Sequence, residues 1–330
     1  MNMTAQKNRI LLAALRNMPI ILFVGLFLCF GVLAPDFFRY QSIENAVKQA
    51  SYVGIVAVGM AFVLLTGGID LSVGSNMYLS TVVAGLCIQR FALSPAAAFV
   101  ICIGAGFTFA MTNAFIVTRL RVVPFIATLA TLVAGRGLGR MLSQSRAISF
   151  PETITRIGSA RLFDVVPYPI VLFALTLLAA WIMLHRTQWG RQIYAVGYNL
   201  ESARKAGINT VRIRAIAYVV CGVFASFGGF ISVAQLGNVN AGFGRGSEFD
   251  AIAAAVLGGI SLFGGIGSIF PGVLLGAVMI QLVSTGLVSA KVDLYLHSMI
   301  SALIIFAAVA IDSHRTILLK KMQQRHIRIE

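Results

Sequence analysis

Ten long apolar windows follow one another along the chain, and they limit the folds open to it more than any other feature. With 58% hydrophobic and 11% charged residues and a mean hydropathy of +0.88, the 330 residues carry more apolar side chains than a soluble core can bury. About 20 apolar residues form a helix long enough to cross a bilayer. The sequence therefore predicts an all-α polytopic membrane protein with about ten transmembrane helices. Their expected positions are 18–37, 46–65, 72–88, 95–117, 124–142, 166–184, 211–235, 249–263, 268–287 and 295–312.

Basic residues cluster at the ends of these windows. The net charge is +15, but the Lys and Arg residues are not interleaved with exposed aromatic residues, so nucleic acid is excluded and membrane lipid is the expected surrounding. A cytoplasmic N-terminus places 16 of the 26 Lys and Arg residues on the cytoplasmic side, as the positive-inside rule favours. The sequence thus predicts two cytoplasmic termini, in a segment 1–17 and a basic tail 313–330, around a transmembrane domain 18–312. Residues 143–165 then form the largest external loop.

Motifs for catalysis, metals and cofactors are missing from the sequence. No Gly-Lys dipeptide occurs, so the phosphate-binding GxxxxGK[ST] loop is absent, and there is no HExxH or CxxC pair. Gly259-Ile260-Ser261 resembles the Gly-x-Ser of an intramembrane serine protease with His297 as its base, but the predicted topology separates Ser261 and His297 by most of a membrane core of roughly 30 Å, beyond hydrogen-bond reach. We therefore expect a protein that is not an enzyme and binds no metal or cofactor itself.

The polar segment after the sixth window predicts a short exposed helix. Asn199 is a favourable N-cap, and Gly207 can take the left-handed conformation that ends a helix. Glu201 lies in the first turn, whereas Arg204 and Lys205 lie in the last, which suits the helix dipole. A helix of about two turns is marginal alone, so packing against a neighbour or a partner is expected. From these residues alone, a docking site and an ordinary basic loop that sets membrane orientation are both open.

Few charged residues fall inside or near the apolar windows. Asp70, Asp250, Arg136 and Arg140 are the candidates, and each could also be a helix cap or a charge that reaches the membrane surface. No acidic or histidine relay is secure at mid-membrane, which disfavours a proton-coupled carrier. The tripeptide Gly-Gly-Ile occurs at 67–69 and again at 264–266, both expected at the cytoplasmic side, and we interpret both as turns.

Four segments resemble the ribose- and galactose-type sugar ABC permeases of bacteria. They are TGGIDLSVGS, PFIATLAT, GRQIYAVGYNLESARKAGI and SEFDAIAAAVLGGISLFGGIGS, and the resemblance spans about residues 45–312. It implies the ABC importer permease fold of the vitamin B12/ribose type, in the bacterial inner membrane. It also implies a monosaccharide or similar small polyol as substrate. The implied partners are a second permease copy, identical or related, two ABC ATP-binding subunits that bind ATP and Mg²⁺, and a periplasmic sugar-binding protein.

The resemblance also assigns roles to individual residues. The cytoplasmic coupling loop of the family corresponds to 185–214, and its coupling segment to 199–209. Within this segment, Glu201, Ala203, Gly207 and Ile208 occupy the helix and its glycine turn, and would pass the movement of the ATPase to the transmembrane helices.

The path for the sugar needs only moderately polar side chains. The candidate path or gate residues are Asp70, Asn76, Ser80, Thr128, Thr131 and Asp250. The same side chains could equally form hydrogen bonds between helices. An ATP-independent sugar facilitator or channel is the alternative function, since so few charges lie within the membrane.

Overall fold

The structure is a computed structural model that describes residues 17–293, 295–297, 299–304, 306–307 and 309–310. The predicted basic tail, and the head apart from Asn17, lie outside these residues. The described part is mainly helical. Its helices are α1 Met18–Leu33, α2 Tyr40–Leu65, α3 Val73–Phe91, α4 Pro95–Thr118, α5 Pro124–Ser143, α6 Glu152–Ser159, α7 Tyr168–Arg186, α8 Gln188–Tyr198, α9 Leu200–Lys205, α10 Thr210–Leu236, α11 Ser247–Leu257 and α12 Leu274–Ser289.

Short elements connect these helices. A 3₁₀ turn, Pro35–Phe38, follows α1, and a π-helical turn, Ile269–Val273, leads into α12. The two-residue strands are β1 Ile148–Ser149, β2 Arg161–Leu162, β3 Val166–Pro167 and β4 Asn238–Val239. They form two antiparallel pairs, β1 with β4 and β2 with β3.

Six helices in the described part are long and apolar enough to cross a membrane: α2, α4, α5, α7, α10 and the continuous stretch Ile269–Ser289. The prediction of an all-α polytopic membrane protein is confirmed. The other four predicted windows also contain helices, but these are shorter or more polar. The helices α1, α11 and Tyr295–Ile304 are short, and α3 carries several buried polar residues.

Local sequence explains where these helices begin. Proline stands at the first position of α4 and α5, where the missing N–H costs nothing and the fixed φ suits a helix. Ser94 caps α4 by accepting a hydrogen bond from the N–H of Ala97 at 3.3 Å. These residues fix where the two apolar runs become helical.

Two antiparallel helices, α2 and α10, form the centre of the bundle. A Cβ atom on Gly59 of α2 would lie 3.1 Å from the Cα atom of Cys221, and one on Gly228 of α10 would lie 3.0 Å from the carbonyl oxygen of Tyr52. Glycines at these crossings let the two backbones approach closely. Most of α2 and α10 is buried, whereas α4, α5 and α7 expose large apolar faces, as expected for helices in contact with lipid.

The chain breaks after each central helix and turns back into the protein. Residues 66–72 connect α2 to α3, and residues 237–246 connect α10 to α11. Because α2 and α10 are antiparallel, the two breaks enter from opposite faces of the bundle. They meet at Gly74 and Gly244, where a Cβ atom on Gly74 would lie 2.2 Å from the carbonyl oxygen of Gly244.

The two faces of the bundle differ in the elements they carry. One face, which we name the α9 face, bears α8, α9, the end of α2 and the start of α10. The opposite face bears residues 143–165, which contain α6 and the strands β1 and β2. This loop is anchored: Gly158 packs on the backbone of Ala234, and Arg161 forms an ion pair with Glu44.

Replacing Gly276 with alanine is expected to destabilise the fold. The new Cβ atom would lie 1.8 Å from the carbonyl oxygen of Ala254, so α11 and α12 would have to separate, at a cost of about 1–3 kcal/mol or more. Gly104 lies in α4 with no atom within 4 Å of its Cβ position, so Gly104→Ala is the matched control. Thermal unfolding in detergent should show a lower Tm for Gly276→Ala and an unchanged or higher Tm for the control. Equal Tm values would contradict this packing.

Candidate functional site

The polar segment forms the helix that its caps predict. The Oδ1 atom of Asn199 accepts a hydrogen bond from the N–H of Ser202 at 2.9 Å, and α9 extends from Leu200 to Lys205. Gly207 has a φ of 81°, the left-handed conformation expected of it. The preceding helix α8, capped by Thr187, was not predicted as a separate element. Its amphipathic surface is the signal that the apolar windows overlooked.

Only one side of α9 packs against the protein. Ala203 is buried, and its carbonyl oxygen accepts a hydrogen bond from the N–H of Ile208, which is half-buried. Glu201, Arg204 and Lys205 are exposed. We name the exposed area the α9 surface; its residues are Tyr198, Leu200, Glu201, Arg204, Lys205 and Phe263. Tyr198 and Phe263 are each 80% exposed, so aromatic and charged groups stand side by side there.

A cluster of glycines connects this surface to the central helices. The N–H of Gly265 donates to the carbonyl oxygen of Leu65 at 3.0 Å. A Cβ atom on Gly197 would lie 1.8 Å from the same oxygen, and one on Gly264 would lie 2.8 Å from the nitrogen of Gly67. The two Gly-Gly-Ile segments are turns, as interpreted from the sequence, and they pack against each other. The C-terminal end of α8 therefore packs directly against the end of α2.

Tyr194 of α8 adds a hydrogen bond to this junction. Its hydroxyl group donates to the carbonyl oxygen of Gly267 at 3.0 Å. Burial raises the pKa of Tyr194, so the phenol stays protonated and remains a donor at neutral pH. Beside it lies a depression of about 470 Å³ that reaches from Tyr194 to Ser202 and Ile208. This depression is open to the α9 surface.

The predicted path residues lie inside the bundle, where they bond to neighbouring backbone. Asp70 is 1% exposed and accepts hydrogen bonds from the N–H and Oγ of Ser72 at 2.9 and 2.6 Å. Asn76 donates to the carbonyl oxygens of Gly106 and Gly222 at 3.3 and 3.1 Å, and so joins α3, α4 and α10. The bonds of Asn76 match the alternative of hydrogen bonding between helices, whereas Asp70 bonds within its own loop. A role in the path stays a prediction for both residues.

The remaining path candidates divide between buried hydroxyl groups and one carboxylate. Ser80, Thr128 and Thr131 are buried and donate to backbone carbonyl groups of their own helices, at 2.7, 2.9 and 3.1 Å for the shortest bond of each. Asp250 is half-buried in the first turn of α11. None of these residues lines the cavity between α2, α7 and α12. The cavity of about 470 Å³ between α2, α7 and α12 is lined by apolar side chains and offers a sugar almost no hydrogen bonds.

The structure brings together two ionisable residues that sequence reasoning did not pair. Arg136 of α5 and Glu248 of α11 are only 8% and 6% exposed, and both approach Gly74. Glu248 was overlooked in favour of Asp250, two positions later. Residues two apart on a helix point about 200° away from each other, so only one of the two can face Arg136. Sequence spacing did not indicate which one.

These features define the class of the protein. A bundle of membrane-spanning helices with broken segments meeting at its centre and a basic helix exposed at one face is a multi-pass membrane permease. Residues 42–309 match the family described as the permease component of branched-chain amino acid transport systems. The chain belongs to this permease family, and the family resemblance inferred from its motifs is confirmed.

Characterised relatives of the chain are import permeases of bacteria. It is 37% identical over 292 residues to a ribose import permease of Escherichia coli K12, which covers 86% of this chain and 89% of the relative. It is 36% identical over 307 residues to a fructose import permease of Rhizobium meliloti. That match covers 89% of this chain and 84% of the relative. It is 33% identical over 321 residues to an autoinducer 2 import system permease of Photorhabdus laumondii, covering 94% and 95%.

Proposed function

We propose that this chain is the membrane-spanning subunit of a bacterial ABC importer for a monosaccharide or similar small polyol. The observation that carries the proposal is the similarity, over most of the chain, to import permeases named for ribose, fructose and autoinducer 2. In this role the chain has no ATPase activity and binds no cofactor. ATP and Mg²⁺ are bound by a separate ABC ATP-binding subunit.

The ATP-binding subunit docks on the α9 surface. Its exposed aromatic side chains, Tyr198 and Phe263, provide the apolar anchors typical of protein interfaces, and Glu201, Arg204 and Lys205 provide charges. The glycine cluster then passes movement from α8 to the end of α2. Alternating access of the central path follows from this movement.

The α9 face lies in the cytoplasm, and both termini lie on the same side. In the described part of the chain, this face carries eight basic residues and a single acidic one, Glu201. The basic residues are Arg119, Arg121, Arg186, Arg191, Arg204, Lys205, Arg212 and Arg214. The opposite face carries five acidic residues, Asp36, Glu44, Glu152, Asp164 and Asp293. The two described faces carry similar numbers of Lys and Arg, so the orientation rests on the basic residues of segments 1–17 and 313–330, which the positive-inside rule places in the cytoplasm. Residues 143–165 then face a periplasmic sugar-binding protein.

The assembly contains a second permease copy, identical or related, and about ten helices cross the membrane in each copy. The exposed apolar face of α5, which includes Phe125, Val133 and Met141, supports a helix partner as well as lipid. The helices α1, α3, α11 and Tyr295–Ile304 complete the count by crossing inside the bundle or at its edge. Two copies with about ten crossing helices each correspond to the importer fold of the vitamin B12/ribose type.

The proposal is tested by purification and by transport. The tagged protein, extracted from its native membrane in mild detergent, is expected to bring a stoichiometric P-loop ATPase with it. Vesicles that contain the complex and a binding protein should accumulate ribose or fructose only when ATP is supplied. Flux of either sugar through the purified chain alone, without ATP, would instead identify a facilitator.

Gly207 allows a test of the turn that ends α9. Gly207→Val is expected to lower ATP-driven uptake at least tenfold, because a β-branched residue is disfavoured at a φ of 81°. Gly207→Asn is the matched control, since asparagine tolerates the left-handed region, and it should keep most of the uptake. No atom lies within 4 Å of the Cβ position, so the difference would report on backbone conformation alone. Equal uptake by both variants would contradict a role for this conformation in coupling.

A further inference from the structure

Arg136 and Glu248 each keep one buried atom without a hydrogen-bond partner. The Nη1 atom of Arg136 donates to the carbonyl oxygen of Phe243 at 2.6 Å, and the guanidinium lies 5.7 Å from the ring centre of Tyr78. Its Nη2 atom has no partner among the described residues, nor has the Oε2 atom of Glu248. Burying an unpaired charge in an apolar interior is costly, so a group that satisfies both atoms would stabilise this arrangement.

The two free atoms face each other across Gly74. A Cβ atom on Gly74 would lie 2.3 Å from Oε2 of Glu248 and 3.3 Å from Nη2 of Arg136, so the two atoms are at most 5.6 Å apart. They do not form a direct ion pair, which would require 4.0 Å or less. Their separation therefore lies between 4.0 and 5.6 Å, which is short enough for one oxygen atom to hydrogen-bond to both groups at about 2.7–2.9 Å. Any side chain at position 74 would occupy the space.

The chemistry of the gap selects a hydroxyl group. The guanidinium can only donate a hydrogen bond and the carboxylate can only accept one. A hydroxyl group or a water molecule does both at once, through its lone pair and its proton. A second carboxylate or a second ammonium group would instead meet a like charge at one of the two residues.

The pair lies beside the broken segments of the bundle, which is where transporters with discontinuous helices place their substrate sites. It lies beside Gly74 and Gly244, where the two broken segments meet inside the bundle. The neighbouring residues Gly137, Arg245 and Phe249 are exposed, so the pair lies just beneath the surface of α5 and α11. A small displacement of residues 243–247 would open it to that surface.

We propose that Arg136 Nη2 and Glu248 Oε2 together form a binding site for a single hydroxyl group on the translocation path. A water molecule occupies the site at rest, and a hydroxyl group of the sugar replaces it during transport. This inference rests on the proposed function, because it requires a polyhydroxylated substrate. Arg136 also positions the site, since its bond to Phe243 fixes the segment that precedes Glu248.

The first test replaces both residues with apolar residues of similar size. Single variants, Arg136→Met or Glu248→Leu, each remove the opposite charge that lies nearest to the remaining buried charge and are expected to lower the amount of folded protein. The double variant removes both charges and should recover wild-type abundance, Tm and association with the ATPase. Its ATP-driven uptake of ribose or fructose should nevertheless fall at least tenfold. The Arg136→Gln/Glu248→Gln double variant keeps a donor and an acceptor and should retain more uptake than the apolar pair.

The second test distinguishes the sugar hydroxyl from water. Monodeoxy analogues of the transported sugar are compared, each at a concentration that saturates the binding protein. One analogue should be transported more slowly by the wild type, and the Met/Leu variant should no longer distinguish it from the parent sugar. Wild-type uptake by the Met/Leu variant would overturn the proposal, leaving the pair a structural element only. Slow uptake with no discrimination among analogues would also overturn it, in favour of a water site.

The two hypotheses fail in different ways. ATP-driven uptake by the wild type tests the importer function and does not depend on the pair. The comparison of variants with the wild type tests the hydroxyl site. If the wild type accumulates neither sugar under any condition, the importer proposal fails, and the hydroxyl site fails with it because it rests on that function.

Discussion

Replacing Glu201 with arginine is expected to abolish ATP-driven uptake while the protein remains folded in the membrane. Glu201 is the single acidic side chain on the described α9 face, and it is exposed in the first turn of α9. Arginine would place a positive charge at the positive end of the helix dipole and repel any cationic group of a partner that pairs with Glu201. Truncating one member of a buried interfacial charge pair costs about 2–5 kcal/mol, and reversal costs more. The bound ATPase should therefore fall by more than tenfold.

Copurification of the ATPase and uptake in vesicles measure this effect. Gln188→Arg is the matched control, because Gln188 is exposed on the same face at the start of α8 and gains the same side chain. The control should retain both ATPase binding and uptake. If Glu201→Arg binds and transports like the control, the α9 surface is not the docking site.

Replacing Gly197 with valine is expected to disrupt the junction between α8 and the central bundle and to abolish uptake. A Cβ atom at this position would lie 1.8 Å from the carbonyl oxygen of Leu65 and 2.5 Å from the nitrogen of Gly265. Both neighbours are backbone atoms, which cannot move as the end of a flexible side chain can. Overpacking of this kind costs about 1–3 kcal/mol or more. The overlap of the valine side chain with these backbone atoms is removed only if α8 shifts away from the end of α2.

The effect should be visible in both stability and coupling. Gln192→Val introduces the same β-branched residue at a half-buried position of α8 and serves as the control. We expect a lower Tm and loss of uptake for Gly197→Val, with little change for the control. If Gly197→Val retains a wild-type Tm and normal uptake, the tight glycine contact is not required for transmission.

Both predictions depend on features that the sequence indicates only in part. The helix α9 could be predicted because its signals are local: Asn199 bonds to a residue three positions away, and Gly207 needs only its own φ. The docking role of α9 comes from the family resemblance and stays a prediction. The contact of Gly197 with Leu65 and Gly265 joins residues far apart in the chain, so no local pattern could indicate it.

By itself, the sequence determined the class of the protein. Long apolar windows require helices in a bilayer, because lipid offers backbone groups no hydrogen bonds. Four motifs were enough to identify the permease family, and the order of the helices follows from their spacing.

Only the tertiary structure decided which polar residues meet. Asp70 turned out to bond locally to Ser72, whereas Glu248, not Asp250, faces Arg136 beside Gly74. The physical reason is that hydropathy depends on composition along the chain. The meeting of two buried charges depends instead on where the broken segments return to the bundle, and that is decided by packing between distant glycines.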